Sequence, residues 1–147
     1  MDYKDFYQDL LNCAKENAKK LNHKRVGTES ILLAILESNG DGLKALKNAG
    51  VNPQTLYRSL MGFKRNKVKK TGFDLNFTPF SMHILGSAAE YSNFRRDGYV
   101  NSAHLLYGCL EEGIGVASSF LRKQVSPYVL KQSIDCVLDK KKSYTKV

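Results

Sequence analysis

The stretch Val51-Asn52-Pro53-Gln54-Thr55-Leu56 returns 74 positions later as Val125-Ser126-Pro127-Tyr128-Val129-Leu130. The same offset relates residues 3–61 to residues 77–135 without a gap. Further identical pairs at this offset are Leu11 and Leu85, Ala14 and Ala88, Glu16 and Glu90, Val26 and Val100, Leu32 and Leu106, Leu36 and Leu110, and Glu37 and Glu111. A fixed offset over such a span indicates one supersecondary unit used twice, and so a compact body with internal pseudo-symmetry rather than an enzyme with a cleft between unlike lobes.

Each copy predicts four helices. Asn52 followed by Pro53 predicts a helix start, with Asn52 as the N-cap and Pro53 as the first helical residue. Proline is tolerated there because a backbone N–H at that position would have no partner inside the helix. Gly50 is typical of the residue that follows a helix. Thr28 and its counterpart Ser102 are expected to supply N-cap hydroxyls to the second helix of their own repeats.

No segment alternates between apolar and polar residues for long enough to predict a strand. We therefore predict an all-α fold of two tandem four-helix repeats within a single domain of residues 1–147. Repeat one spans about residues 3–61 and repeat two about residues 77–136. Residues 62–76 are expected to form a basic, exposed linker, and residues 139–147 a polar tail that is disordered or a truncated linker.

The composition is that of an ordinary globular protein. The chain has 147 residues, of which 42% are hydrophobic and 25% charged, enough for one domain with a core. No apolar run approaches the roughly 18 residues of a membrane span. The charged N-terminus lacks the apolar stretch of a secretory signal. We therefore expect a soluble, cytoplasmic protein with no membrane partner.

No motif predicts a metal, a cofactor or an active site. The three cysteines are too far apart for a Cys-x-x-Cys motif and are expected to be buried free thiols: Cys13, Cys109 and Cys136. The histidines share no ligand spacing with each other or with a cysteine. A phosphate-binding Gly-x-x-x-x-Gly-Lys-[Ser/Thr] loop is absent from the sequence, and no nucleophile–base pair stands out. We predict a protein that is not an enzyme and needs no cofactor.

The formal charge is +9, and much of it lies in two runs, at residues 64–70 and 140–146. A basic chain favours acidic partners, nucleic acid included, although solvated linkers and tails often carry such runs. A basic helical nucleic-acid-binding protein is therefore the alternative function. The repeats show no arginine-rich recognition helix or helix-turn-helix signature, which disfavours it.

Three strings resemble a known family: Val26-Gly27-Thr28-Glu29-Ser30-Ile31-Leu32-Leu33, Phe77-Thr78-Pro79, and Glu111-Glu112-Gly113-Ile114-Gly115-Val116-Ala117. Together with the duplication, they resemble the N-terminal domain of Clp ATPases, most closely the ClpC type. In that family the signature Gly-Thr-Glu-His-Ile-Leu-Leu is present in both halves. The resemblance covers about residues 3–136, with a good first signature and a degenerate second one.

The resemblance implies two four-helix repeats packed about a pseudo-twofold axis. It also implies a role, since this domain sits above the ring of a AAA+ unfoldase and receives adaptor proteins and substrates bound for degradation. The chain would then be a fragment cut before the ATPase, or a stand-alone homologue, so that the AAA+ ring acts in cis or in trans. His104 matches the family histidine, and packing or a hydrogen bond is its expected role.

The resemblance also implies binding residues. Some ClpC domains bind phosphoarginine in two equivalent pockets, where a glutamate pairs with the guanidinium and the start of a helix receives the phosphate. Carried over, the first pocket would be an altered one formed by Lys4, Thr28 and Glu29. The alternative for Glu29 is a first-turn carboxylate that the helix dipole favours.

The second implied pocket is degenerate. It would use Thr78 and Ser102, but Ala103 stands where the family has glutamate. A charge-assisted hydrogen bond contributes roughly 1.5–3 kcal/mol. The second pocket should therefore bind about tenfold more weakly, or worse.

Overall fold

The structure, a computed structural model, describes residues 5–63, 74–113 and 115–145. Within them it contains eight helices: α1 (Tyr7–Lys20), α2 (Thr28–Glu37), α3 (Asp41–Asn48), α4 (Pro53–Met61), α5 (Pro79–Arg95), α6 (Ser102–Glu112), α7 (Val116–Gln124) and α8 (Pro127–Thr145). Extended pairing in the described residues is limited to one isolated bridge. The predicted all-α fold of two four-helix repeats is confirmed.

Helices α4, α5 and α8 each begin at a proline, and α4 begins as the sequence predicts. Asn52 caps α4 by accepting hydrogen bonds from the backbone N–H groups of Gln54 and Thr55, and Pro53 follows at the first helical position. Thr78 caps α5 by accepting from the N–H of Ser81. Each cap satisfies a donor that a helix start leaves without an internal partner, and contributes about 1 kcal/mol.

The central helices α2 and α6 pack against each other across the two repeats. Every residue of α2 from Thr28 to Leu36 is buried, as are Leu105 and Leu106 of α6. Complete burial of one such leucine side chain stabilises the fold by roughly 1.5–3 kcal/mol. The core therefore forms one cluster that extends through both repeats.

The short third helices are exchanged between the repeats. Helix α3 of repeat one packs against α6 and α8 of repeat two, and α7 of repeat two packs against α2 and α4 of repeat one. This reciprocal exchange confirms the pseudo-twofold packing. Neither repeat would cover its own core without the other.

The expectation that Thr28 and Ser102 cap their own helices is wrong. Gly27 and Asn101 are the N-cap residues of α2 and α6. Thr28 Oγ1 instead accepts a hydrogen bond from the N–H of Ala117 in α7 (3.1 Å), and Ser102 Oγ accepts from the N–H of Gly42 in α3 (2.7 Å). Each hydroxyl satisfies a donor in the first turn of the other repeat's short helix, so both stabilise the junction.

The segment before α5 pairs with the segment before α2. The N–H of Val26 donates to the carbonyl of Asn76 (2.9 Å), and the N–H of Thr78 donates to the carbonyl of Val26 (3.0 Å). Ser81 Oγ donates to the same carbonyl (2.9 Å). These bonds hold the start of α5 beside the start of α2.

The C-terminal segment differs from its prediction. Helix α8 continues to Thr145, so residues 139–145 are helical rather than a disordered tail. The helix extends because Val137 and Leu138 remain buried and because Lys141 Nζ contacts Asp41 Oδ2 at 3.2 Å. Of the predicted linker, residues 64–73 lie outside the described residues.

The thiol prediction is correct for two cysteines and wrong for the third. Cys13 and Cys109 are buried, but Cys136 is exposed. Helix α8 turns Ile134 toward the core, and a residue two positions later points to nearly the opposite side of a helix. Burial, together with the charge of nearby Glu37, raises the pKa of the Cys13 thiol to about 12, which keeps it protonated and unreactive.

In the described part of the chain, no helix combines the length and the apolar character needed to cross a lipid bilayer.

Candidate functional site

A cavity of about 580 Å³ lies at the junction between the start of α2 and the start of α5. Its lining residues come from both repeats: His23, Lys24, Arg25, Gly27, Glu29, Phe63, Thr78 and Val116. We call it the Glu29 pocket. It combines a carboxylate, two cationic side chains and the start of a long helix, which together suit a ligand that carries both charges.

Glu29 lies in the first turn of α2 and is only 8% exposed. Its carboxylate folds back over Gly27, and a Cβ on residue 27 would collide with both carboxylate oxygens. The glycine is therefore required for this position of the side chain. The first-turn location also favours the charge of the carboxylate through the helix dipole.

His23 is the internal partner of Glu29. Its Nδ1 lies 2.9 Å from Glu29 Oε1, and its Nε2 lies 3.1 Å from the carbonyl oxygen of Phe63. The imidazole thus occupies the side of the carboxylate that a guanidinium would use. A cationic ligand therefore competes with His23 for Glu29 Oε1.

Thr78 lies in the same pocket as Glu29, although the sequence placed them in separate pockets. Its Oγ1 accepts from the N–H of Ser81 (3.2 Å) and donates to Ser81 Oγ (3.0 Å). The bridge between Val26 and Phe77 causes this grouping, because it sets the start of α5 against α2. The structure therefore groups these residues across the repeats and not by repeat: the cavity combines the carboxylate of one repeat with the helix start of the other.

The remaining predicted residues do not line the Glu29 pocket. Lys4 lies outside the described residues. The hydroxyl of Thr28 accepts from α7, so its role lies at the junction. Ser102 and Ala103 are completely buried at the start of α6 and are not among the residues that line the Glu29 pocket.

The pseudo-symmetric position in the other half is filled by Asp5. Its Oδ1 accepts from the N–H of Ser102 (2.8 Å), and its Oδ2 accepts from the N–H of Asp41 (2.8 Å). At the 74-residue offset, Asp5 aligns with Pro79, which has no carboxylate. An internal carboxylate thus occupies the starts of α6 and α3 in this half, and Ala103 supplies no carboxylate.

A buried charged network lies beside this filled position, and the sequence analysis missed it. Asp97 Oδ2 contacts His104 Nε2 at 2.7 Å and accepts from Arg95 Nε at 2.9 Å. The side chains of Asp97 and His104 are completely buried. The sequence pattern Asn101-x-x-His104 is a signal for the position of His104 in this network, because these two residues form a capping box at the start of α6.

His104 is held as a neutral imidazole. Its Nδ1 accepts a hydrogen bond from the N–H of Asn101 (3.0 Å), so Nε2 carries the proton and donates to Asp97. Burial lowers the pKa of His104 by more than the hydrogen bond to Asp97 raises it. Protonation would also cost the bond from Asn101, since an imidazolium has no acceptor.

The lowered pKa of His104 predicts a loss of stability in mild acid. Below about pH 6.5 the unfolded chain binds a proton at this histidine and the folded chain does not. The free energy of unfolding should therefore fall as the pH drops from about 6.5 toward the folded pKa, with a slope of up to about 1.4 kcal/mol per pH unit. Urea unfolding between pH 7 and pH 5 measures this slope.

The matched variants for that measurement are His104→Gln and His83→Gln. His83 is exposed on α5, so its replacement should leave the slope as in the unmodified chain. His104→Gln should flatten it. Equal slopes for all three chains would assign the pH dependence to other groups.

The described residues include no group of three or more histidine, cysteine, aspartate or glutamate side chains placed to hold a metal ion.

Comparison with known proteins gives consistent matches. A family model described as the Clp repeat (R) N-terminal domain matches residues 3–124. The ATP-dependent Clp protease ATP-binding subunit ClpA homolog of Cyanidium caldarium is 40% identical over 76% of this chain. Chaperone protein ClpC1, chloroplastic, of Oryza sativa subsp. japonica is 36% identical over 76% of this chain. The chain spans only 13% and 12% of the lengths of these two relatives.

Among solved structures, the N-terminal domain of Hsp104 from Candida albicans matches with a TM-score of 0.75. The match covers 91% of this chain and 89% of that domain, at 18% sequence identity. At this identity the likeness concerns the fold alone.

Proposed function

Because this chain belongs to the Clp repeat N-terminal domain family, we propose that it is a protein-recognition module. It recruits adaptors or marked substrates to a AAA+ Clp unfoldase–protease and carries no ATPase activity of its own. The unfoldase ring acts in cis or in trans. The observation that supports this proposal most is the Glu29 pocket, a partly open cavity formed jointly by the two repeats.

The pocket suits a ligand with a guanidinium and a phosphate, as in phosphoarginine. Glu29 offers a carboxylate to the guanidinium once His23 moves aside. Lys24, Arg25 and the start of α5 attract the phosphate. The proposed site is therefore one altered pocket, since the position around Ala103 holds no glutamate and its helix starts already bind Asp5.

Removal of the Glu29 carboxylate tests this ligand. We expect Glu29→Ala to weaken binding of free phosphoarginine at least about tenfold, because a charge-assisted hydrogen bond contributes roughly 1.5–3 kcal/mol. Isothermal titration calorimetry provides the measurement. Glu90→Ala, which removes an exposed carboxylate from α5, is the matched control and should leave the affinity unchanged. Equal affinities for the two variants, or no binding by the unmodified chain, would exclude the pocket.

The nucleic-acid alternative and the cytoplasmic location stay predictions. The main basic run, residues 64–70, lies outside the described residues, so it adds no structural argument for a nucleic-acid interface.

A further inference from the structure

A groove between α3 and α8 concentrates positive charge. Its cavity measures about 420 Å³, and four lysines line it: Lys44, Lys47, Lys140 and Lys141. Asp41 is the one acidic side chain among its described lining residues. The groove joins the repeats, since α3 belongs to the first and α8 to the second.

The charges of these lysines are only partly compensated. Asp41 contacts Lys141 Nζ at 3.2 Å and Lys44 Nζ at 3.9 Å, and it also accepts from Asn101 Nδ2 at 2.8 Å. In the part of the chain that the structure describes, no ion pair involves Lys47 or Lys140. The lining therefore keeps a formal charge of +3 from four lysines and one aspartate.

An apolar cavity adjoins the lysine groove. Lys47 lines both, and the second cavity measures about 810 Å³. Its apolar lining residues are Leu36, Leu43, Pro53 and Tyr57. Helix α3 thus presents a charged strip on one side of Lys47 and an apolar cavity on the other.

We propose that this surface binds an acidic segment of a partner protein, with carboxylates facing the lysines and an apolar side chain entering the cavity beside Tyr57. Charge complementarity carries the assignment for the lysines. The apolar cavity selects a peptide over a nucleic acid, because a phosphate backbone would contact only the lysines. An anchored apolar side chain next to a charged strip gives both affinity and orientation.

The groove is separate from the Glu29 pocket. None of the residues that line the Glu29 pocket lines either cavity on the α3 surface. Phosphoarginine binding should therefore persist when the lysines are changed. Failure of one site leaves the other intact.

The test uses a fluorescein-labelled peptide with four glutamates on each side of one leucine, followed by fluorescence anisotropy. We expect the double variant Lys47→Glu/Lys140→Glu to weaken binding at least about tenfold, equivalent to about 1.4 kcal/mol. The control, Lys19→Glu/Lys123→Glu, changes the net charge equally at exposed positions on α1 and α7. It should weaken binding less than about threefold, because it reduces only the long-range electrostatic attraction between the protein and the peptide.

A second peptide, with serine in place of leucine, should bind the unmodified chain at least about threefold more weakly, because it loses apolar burial. Three results would overturn the proposal: equal weakening by the two double variants, equal binding of the leucine and serine peptides, or no binding of the leucine peptide. Tighter binding of a single-stranded oligonucleotide at the same lysines would also overturn it, and would favour nucleic acid as the occupant.

Discussion

Replacement of Asp97 by alanine is expected to lower the free energy of unfolding by about 1–3 kcal/mol. The carboxylate of Asp97 contacts both the guanidinium of Arg95 and the imidazole of His104. The Arg95 side chain is only 9% exposed and that of His104 completely buried. Loss of the carboxylate leaves the N–H of His104 without its acceptor and removes one of the three carboxylates that contact Arg95. A buried donor left without a partner costs about 1–3 kcal/mol.

Asp139→Ala is the matched control for that substitution. Asp139 pairs with the same guanidinium at 2.7 Å, but its side chain is 66% exposed. Exposed pairs contribute about 0.2–1 kcal/mol, so the control should cost less than about 1 kcal/mol. Chemical denaturation of the two variants measures both values. A similar small loss for both would show that the network around Asp97 is not a stabilising core feature.

Gly108→Ala is expected to destabilise the fold by about 1–3 kcal/mol. A Cβ on residue 108 would lie 2.5 Å from the carbonyl oxygen of Ile84 and 3.0 Å from its Cγ2. The backbone of α5 therefore has to shift away from α6, although alanine is the better helix former. The counterpart at the 74-residue offset is Ala34, so only the second repeat requires glycine here.

Gly86→Ala tests the same residue change without the steric conflict. A Cβ on residue 86 of α5 would meet no atom within 4 Å. We expect this variant to gain up to about 0.5–1 kcal/mol, because alanine loses less conformational entropy in a helix than glycine. The two substitutions should thus change the denaturation midpoint in opposite directions. A stabilising Gly108→Ala would contradict the close approach of α5 to α6.

Features that depend on neighbouring residues could be predicted from the sequence. Asn52-Pro53 and Thr78-Pro79 indicate helix starts, because an N-cap residue and the proline after it both belong to the first turn of the helix. The eight helices and the repeat follow from apolar spacing and from the fixed offset. Such signals are local, or they repeat within the chain itself.

Features that depend on contact between the repeats could not be predicted. The hydroxyl of Thr28 bonds to Ala117, 89 residues away, and no local pattern distinguishes that role from an N-cap. The grouping of Glu29 with Thr78 depends on the bridge at Val26, which forms only in the folded chain. Asp97 is different, because it contacts Arg95 and His104 of its own repeat, but no local pattern shows that its side chain is buried.

The polar end of the chain misled the prediction for a different reason. Residues 139–147 contain no apolar stripe, so composition alone favours a tail. The helix nevertheless continues through residue 145, because Leu138 packs into the core and Lys141 reaches Asp41 in the other repeat. Ion pairing to a distant segment stabilises a helix that hydrophobic periodicity does not detect.

The central claim is that the two repeats jointly form one ligand pocket around Glu29. Titration of the ¹⁵N-labelled chain with phosphoarginine, followed by two-dimensional NMR, tests it most directly. We predict that the amide signals of Gly27, Glu29 and Thr78 shift together with one dissociation constant, while those of Ser102 and Ala103 remain in place. Shifts confined to Ser102 and Ala103, or shifts of Glu29 without Thr78, would contradict the claim.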